Sequence, residues 1–361
     1  MARLLSLSLL LLVLSLTAWL SSTRWAAQRL SSLREHLASG CTRALPLPSA
    51  PGHPPLRLLV CLASGPLKAA RFEHTARVVA EYLAFSPARY ALTISVDTTD
   101  EALAAALRQR FPGAGAALQV TVWGTAQLEA AFPASAGWGG EPSEFLVSHA
   151  HRTYMHARAA EYDLFIYTED DMLLREGGVD MFVEHQQALW AQGWLPGFVR
   201  EEAALGSGEP TCNDISSGQL RGPEAPRVYA AGRGAARYAS FSNGPYSAVW
   251  LLTRAQLEAF VADPSRVYAA GYSEFDTRAR MSWGFMYARA RDGSLVPRVL
   301  VPLVGEGGQV DPRAHVLHLP SNYCGKQSGW EACVSFAELN GALGQTQVSE
   351  LGVHPALPCS Y

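Results

Sequence analysis

Lysine is almost missing from this chain of 361 residues. Lys68 and Lys326 are the only two, and every other basic side chain apart from histidine is arginine. With a net charge of −3 and no basic stripe, nothing in the chain suits the polyanionic backbone of a nucleic acid. The pairing of arginine with abundant alanine is what a GC-rich genome produces and carries no functional weight. No N-x-S/T sequon is present, which excludes an N-linked glycan acceptor. No C-x-x-C pair is present, which argues against a cysteine zinc site. The turn after the first apolar run, "VCLASGPLKAARF", holds one glycine, so it lacks the G-x-G-x-x-G of dinucleotide-binding enzymes. There is no Walker A sequence and no internal repeat. Disorder is excluded too: the chain is 48% hydrophobic and 17% charged, enough to bury a substantial core.

What is present starts with "MARLLSLSLLLLVLSLTAWLSSTRW". Leu4 to Leu20 is an uncharged run of 17 residues, at the short end of the roughly 17–25 that span a bilayer. A cleaved signal peptide has a shorter apolar core, about 7–15 residues. The run therefore reads as an uncleaved signal anchor, with cleavage and secretion as the alternative. Arg24, Arg29 and Arg34 follow it and weaken a simple positive-inside assignment. Both readings send the rest of the chain into the secretory pathway, and a short span suits a thin early-secretory membrane. A helical stretch and then the Pro-rich "CTRALPLPSAPGHPPL" follow, a stem and linker. The division is residues 1–23 for the cytosolic start and anchor, 24–55 for the stem and 56–361 for one globular domain. Six cysteines fit an oxidising compartment. Cys324 and Cys333 flank a short loop suited to a disulfide, and Cys61 reads as a buried thiol.

From Leu56 strands and helices alternate. "LRLLVCLAS", "YALTISVDTT", "ALQVTVWG" and "DLFIYTEDD" read as strands; short apolar runs are what buried parallel strands require. "KAARFEHTARVVAEYLAF", "DEALAAALRQRF" (capped by Thr99 or Asp100) and "SEFLVSHAHRTYMHARAAEY" read as the helices between them. The order implies β-α-β units and a mainly parallel sheet, an α/β fold. Later segments are a helix in "GVDMFVEHQQALWAQGW", a strand in "LPGFVREE", loop from Ala203 to Arg227, a strand in "YSAVWLLT" and a helix in "RAQLEAFVAD". "LVPRVLVPLV" and "AHVLHLPSNY" read as extended.

The fourth strand ends on three acids, Glu169, Asp170 and Asp171. With 32 acids in the chain, composition alone supplies such a triplet in roughly one chain in four. Position raises its weight, because ligands in an open α/β sheet bind beyond the carboxyl ends of the strands. Carboxylates clustered there repel unless a cation neutralises them, and hard oxygen donors suit Mg²⁺ or Mn²⁺ bridging to phosphate. The plain alternative is a solvated turn.

"FIYTEDDM" resembles the D-x-D region of GT-A-fold glycosyltransferases, in particular the "EDD" variant of several Golgi-type enzymes. The short anchor, the Pro-rich stem, four strands before the acids and the late "HVLHLPSNYC" are similar to that plan, over residues 56 to about 325. The resemblance implies a GT-A-like single catalytic domain, with residues 56–175 as the nucleotide-sugar-binding half and 176–361 as the acceptor half. It implies Mn²⁺ (or Mg²⁺), a nucleotide-sugar donor, and a glycan, glycoprotein or glycolipid acceptor. It implies a single-pass type II protein of the Golgi or ER membrane. Asp171 is then the direct metal ligand, Asp170 acts through water or on the donor ribose, and Glu169 orients the group. A late histidine completes the metal shell in that fold class. His318 is favoured over His315, and residues three apart on a strand face opposite sides, so one of the two reaches the site.

Other candidates come from residue type. "GYSEFDTRARMSWGF" offers Glu274 and Asp276 as a base for an acceptor hydroxyl, with Tyr272, Trp283 and Phe285 to stack on sugar; an ordinary helix start is the alternative. His149, Arg152 and His156 share a helix face, where Arg152 suits a diphosphate and a solvated face is the plain reading. Arg233 and Arg237 are weaker phosphate candidates, and the turn at Asn243, Gly244 and Pro245 lines a pocket or is only a turn. Three functions compete: a metal-dependent glycosyltransferase, another metal-dependent enzyme acting on phosphate esters, and a non-catalytic luminal carbohydrate-binding or scaffold protein of the same fold.

Overall fold

A computed structural model describes residues 53–65, 68–131, 143–203, 210–213, 215, 217, 219–222, 225–231, 236–242, 247–262, 287–289, 295–320, 324, 333–352 and 354. All lie in the second of the chain's two units, Ala44–Tyr361. The anchor and nearly all of the stem lie outside the described residues, as do Glu274, Asp276, Arg233 and the 243–245 turn. Among the described residues no helix is long and apolar enough to cross a membrane.

The first half follows its pattern except for one helix the pattern did not show, α3: β1 Leu56–Ser64, α1 Ala69–Leu83, β2 Tyr90–Thr98, α2 Glu101–Arg110, β3 Leu118–Val122, α3 Thr125–Ala131, α4 Ser143–Ala157 and β4 Leu164–Glu169. Asp100, not Thr99, caps α2, its Oδ1 accepting from the amides of Ala102 and Leu103. β1 pairs parallel with both β2 and β4, and β2 with β3. Buried on both faces, Leu58 to Leu62 are solidly apolar and fully inaccessible. Each such aliphatic side chain contributes about 1.5–3 kcal/mol on burial. Leu58, Val60, Leu62, Ile94, Leu164 and Ile166 face one core with Val78, Val79 and Tyr82 of α1. The opposite face receives α4, where His151 packs on Tyr167 with ring centroids 4.2 Å apart.

The second half is built of short strands: β5 Met172–Leu173, α5 Glu176–Trp190, β6 Leu195–Pro196, β7 Val199–Ala203, β8 Pro210–Asn213, β9 Arg227–Ala230, β10 Arg237–Ser240, β11 Val249–Thr253 and α6 Arg254–Ala262. Then come β12 Tyr287–Arg289, β13 Leu295–Pro297, β14 Val299–Val304, β15 Gln309–Val310, β16 His315–His318, β17 Cys333–Ser335, α7 Phe336–Gln345 and β18 Val348–Glu350. β11 returns to the first sheet and runs antiparallel beside β4, so that sheet is ordered β11-β4-β1-β2-β3. A mixed sheet is ordered β17-β8-β7-β16-β5, and another holds β15-β14-β10-β9-β18 with β6 beside β14. Hence the expected mainly parallel arrangement holds for the first sheet, while the two other large sheets mix both directions and β12 pairs antiparallel with β13.

Three further expectations are corrected. "LPGFVREE" is two strands in two sheets, broken at Gly197, where a Cβ would lie 3.0 Å from Val299 Cβ. The supposed loop from Ala203 to Arg227 contains β8, and β9 starts at its end. A C-terminal helix unforeseen in the sequence, α7, opens with a capping box between Ser335 and Glu338. The Cys324–Cys333 disulfide is formed, and Cys61 and Cys212 are buried thiols.

Candidate active site at the carboxyl end of the parallel sheet

The chain winds outward from β1 to β2 and β3 on one side, then places β4 on the other side of β1. The winding direction therefore reverses between β1 and β4. In an open α/β sheet, the crevice beyond the carboxyl ends of the strands at such a point is the ligand site. The register Ala63 to Glu169 sets Ser64 beside Asp170 there. The three acids occupy this point.

They are not equivalent. Glu169 closes β4, its amide donating to the carbonyl of Ala248 at 3.3 Å. Ala248 itself has φ of +51°, the left-handed conformation that side chains other than glycine rarely adopt. Asp170 turns inward and is 3% exposed. The Ser64 hydroxyl donates to its Oδ2 at 2.6 Å, and Arg71 Nη1 of α1 lies 3.4 Å from the same oxygen. Gly65 makes room for that arginine, since a Cβ there would meet its guanidinium at 2.5 Å. Burial, then the charge of Asp171, pushes the Asp170 carboxyl well above the usual range, against the pull of Arg71 and Ser64.

Asp171 turns the other way, with a side chain 22% exposed. Its carbonyl accepts from the Leu319 amide at 2.9 Å, and His318 pairs in register with Met172. These bonds tie the acid turn to β16 and set His318 Nε2 3.5 Å from Asp171 Oδ2. Burial alone would raise the Asp171 carboxyl; the hydrogen bond and charge of His318, then Arg71 and Arg200, hold it below its ordinary value. Burial disfavours charge on His318, but Asp171 and Glu202 outweigh it and raise the imidazole. On the far side of the ring, Nδ1 lies 2.5 Å from Oε1 of Glu202, a fully buried acid on β7.

His315 faces away, as the strand period demands. Its Nδ1 lies 2.8 Å from Glu201 Oε2, and its ring stacks on Phe336 at 4.1 Å. Arg152 is buried in α4 with its guanidinium over the Phe260 ring. The guanidinium groups that bear on Asp171 are those of Arg71 and Arg200. The expected polar face of α4 is not solvated through its length: His149 and Arg152 are buried, and only His156 is exposed. Arg237 lies on β10, outside the sheets that carry the acids and His318, and donates to the carbonyl of Gly305 in the turn after β14. Among the described residues, no three His, Cys, Asp or Glu side chains gather closely enough to form a metal-ligand set by themselves.

Ser64, Arg71, Arg200 and Glu202 were not singled out in the sequence. Position offered a signal for Ser64, the last residue of the first strand. Alternation offered one for Arg200 and Glu202, which point to one side of β7 while Glu201 points to the other.

No protein-family model matches the chain, and no curated protein matches it. Solved structures with a distant likeness exist. The mouse xyloside xylosyltransferase 1 is 17% identical over 61% of this chain and 74% of its own, with a TM-score of 0.33. The galactosyltransferase LgtC, crystallised with donor and acceptor sugar analogues, is 13% identical over 80% and 97%, with a TM-score of 0.28. The mannosyltransferase Ktr4p of S. cerevisiae is 8% identical over 88% and 71%, with a TM-score of 0.26. Likeness this distant assigns no family.

Proposed function

We propose that the chain is a metal-dependent glycosyltransferase that moves a sugar from a nucleotide-sugar donor to a glycan, protein or lipid acceptor. The observation that carries this reading is the pairing of Asp171 with His318 at the switch point of the parallel sheet. A carboxylate oxygen and an imidazole nitrogen, 3.5 Å apart, are a donor pair that fits Mn²⁺ better than Mg²⁺, since the imidazole is the softer donor. Mg²⁺ usually takes one or two carboxylates and completes its shell with phosphate oxygens and water, and a site for Mn²⁺ would need no more protein ligands than these two. Bound between them, an ion would supply Lewis-acid charge to offset that of the diphosphate leaving group.

The chain's own residues have separable tasks. Asp171 and His318 would hold the ion. Arg71 and Arg200 supply positive charge for the diphosphate, in place of the Arg152 expected from the sequence. Asp170, pinned by Ser64 and Arg71, anchors the turn from within and holds Asp171 toward the donor. Glu274 or Asp276 takes the acceptor proton if configuration is inverted. Residues 1–23 anchor the chain and 24–55 hold the domain off a Golgi or ER membrane, on the luminal side; cleavage would release it as a secreted protein.

A second reading, a non-catalytic luminal carbohydrate-binding or scaffold protein, draws on one observation: among the described residues no complete protein ligand set is assembled. The two separate in one assay. Purified protein is incubated with nucleotide-sugars with and without Mn²⁺, and nucleoside diphosphate release is measured. Slow, metal-dependent release that is lost in Asp171→Ala supports the enzyme. Melting-temperature shifts with UDP, GDP or CMP in the presence of Mn²⁺ then identify the nucleotide. No binding of any nucleoside diphosphate by calorimetry sinks the enzyme reading.

A further inference from the structure

We infer that Glu202 is the positioning residue of His318, and that the Cys324–Cys333 disulfide holds Glu202 to that task. This deepens the proposed function and rests on the reading of Asp171 and His318 as the metal pair.

Glu202 is fully buried, a costly place for a carboxylate unless it is fully used. Both of its oxygens are engaged. Oε1 lies 2.5 Å from His318 Nδ1, and Oε2 accepts the backbone N–H of Cys324 at 3.0 Å. Cys324 is bonded through sulfur to Cys333 on β17. β17 pairs with β8, and β8 pairs with β7, which carries Glu202. The links therefore close a circuit: strand ladder, disulfide, amide, carboxylate, and back to the strand. A carboxylate held at both oxygens cannot swing, so the imidazole it receives is fixed in plane and direction.

The chemistry follows from the ring. A neutral imidazole has one N–H and one lone pair. In the neutral ring that a cation requires, the N–H at Nδ1 is committed to Glu202, so the lone pair falls on Nε2, on the side of Asp171. An anionic partner also makes that nitrogen a stronger donor to a cation, and outer residues of this kind typically contribute about 10–100-fold in metal affinity. A glutamine at 202 would keep the shape but offers one acceptor oxygen and an NH₂ donor. It cannot accept from both His318 Nδ1–H and the Cys324 amide.

The test uses the whole protein with two readouts. One is the Nδ1–H proton resonance of His318 in ¹⁵N-histidine-labelled, metal-free protein, which a short bond to a carboxylate moves far downfield in either charge state of the ring. The other is Mn²⁺ affinity from the EPR signal of free Mn²⁺. Wild type is expected to show the downfield proton. Glu202→Gln is expected to lose it and to bind Mn²⁺ about 10–100-fold more weakly. Reducing the disulfide of the wild-type protein with a phosphine should broaden the same proton and weaken Mn²⁺ in the same direction, by less. That arm decides the matter if Glu202→Gln does not fold. A downfield proton that persists in Glu202→Gln, or unchanged Mn²⁺ affinity in a variant series where Asp171→Asn abolishes binding, overturns the inference. If wild type binds no Mn²⁺, the metal reading fails, while the proton resonance still decides whether Glu202 orients His318.

Discussion

Asp170 and Asp171 are neighbours in the chain and belong to different halves of the domain. Asp170 is held by the regular half, through Ser64 at the end of β1 and Arg71 on α1. Asp171 is held by the irregular half, through Leu319 and His318 at the end of β16. One residue is buried and its carboxyl is raised by burial; the other is more open and is lowered by the histidine and two arginines. The difference teaches where the site lies, on the seam between a parallel sheet that folds on consecutive β-α units and a mixed sheet assembled from distant segments. Neither half contains the site alone.

The sharpest way to break this division of labour is Asp171→Ala. Metal-dependent release of nucleoside diphosphate should fall to background, while stability measured by urea unfolding changes by about 1 kcal/mol or less, because relief of repulsion from Asp170 offsets the lost partner of His318. If Asp171→Ala unfolds the protein, the acid is structural and the comparison fails.

Next in size is Ile166→Ala, in the middle of β4. Ile166 is fully buried in the core shared with α1, and its truncation should cost about 2–5 kcal/mol in chemical denaturation. Both halves are expected to unfold together, since β4 leads directly into the acid turn and β5. Separate transitions by near-UV and far-UV signals would show that the halves are independent.

His318→Ala, which removes a ligand rather than its support, should weaken Mn²⁺ by more than the about 10–100-fold that loss of an outer partner costs, read by calorimetry. A smaller effect belongs to Asp97, at the carboxyl end of β2. It is buried and accepts from Trp123 Nε1 at 2.8 Å, and burial pushes its carboxyl up to about 6 against that hydrogen bond. The folded state then keeps a proton that the unfolded chain releases near pH 4. Stability from this group is present below about pH 4 and is lost as pH rises through about 6. Asp97→Asn should remove that slope, gaining on the order of 1–2 kcal/mol relative to wild type at pH 7, compared by urea unfolding at both pH values. The smallest expected effect on metal is that of His315→Ala. It should leave Mn²⁺ affinity within about twofold and lower stability by about 1 kcal/mol through loss of the Phe336 stack. Equal metal losses in His315→Ala and His318→Ala would erase the distinction between the two faces of β16.

The regular half was legible because its rules are local. Apolar runs of strand length, separated by amphipathic helices, led to β1 to β4 and α1, α2 and α4 with small boundary shifts. Asp100 was one of two caps that residue type allowed, and the structure chose it. The irregular half was not legible to the same degree. β8, β9 and β10 are four residues each, too short to show a period, and their stability comes from partners far away in sequence. Arg152 illustrates the same limit. Helical spacing set it on a polar face, but whether that face meets solvent, a ligand or α6 depends on what α4 packs against. His318 was favoured over His315, and strand alternation separates the two as expected, yet only the pairing of β16 with β5 decides which side meets the acids.

By itself, then, the sequence determined the alternation of the first half, the placing of three acids at a strand end, the Cys324–Cys333 loop and the opposite facing of His315 and His318. Each is a property of residue type and short spacing, set by backbone period and by the cost of leaving apolar side chains in water. The tertiary structure decided that Asp170 is anchored and Asp171 presented, that Arg71 and Arg200 supply the nearby charge, and that Glu202 stands behind His318. Most of those facts depend on contacts between residues remote in the chain, such as His318 and Glu202, which differ by 116 in numbering. No local period encodes such a contact; it exists only once two sheets have closed on the same turn.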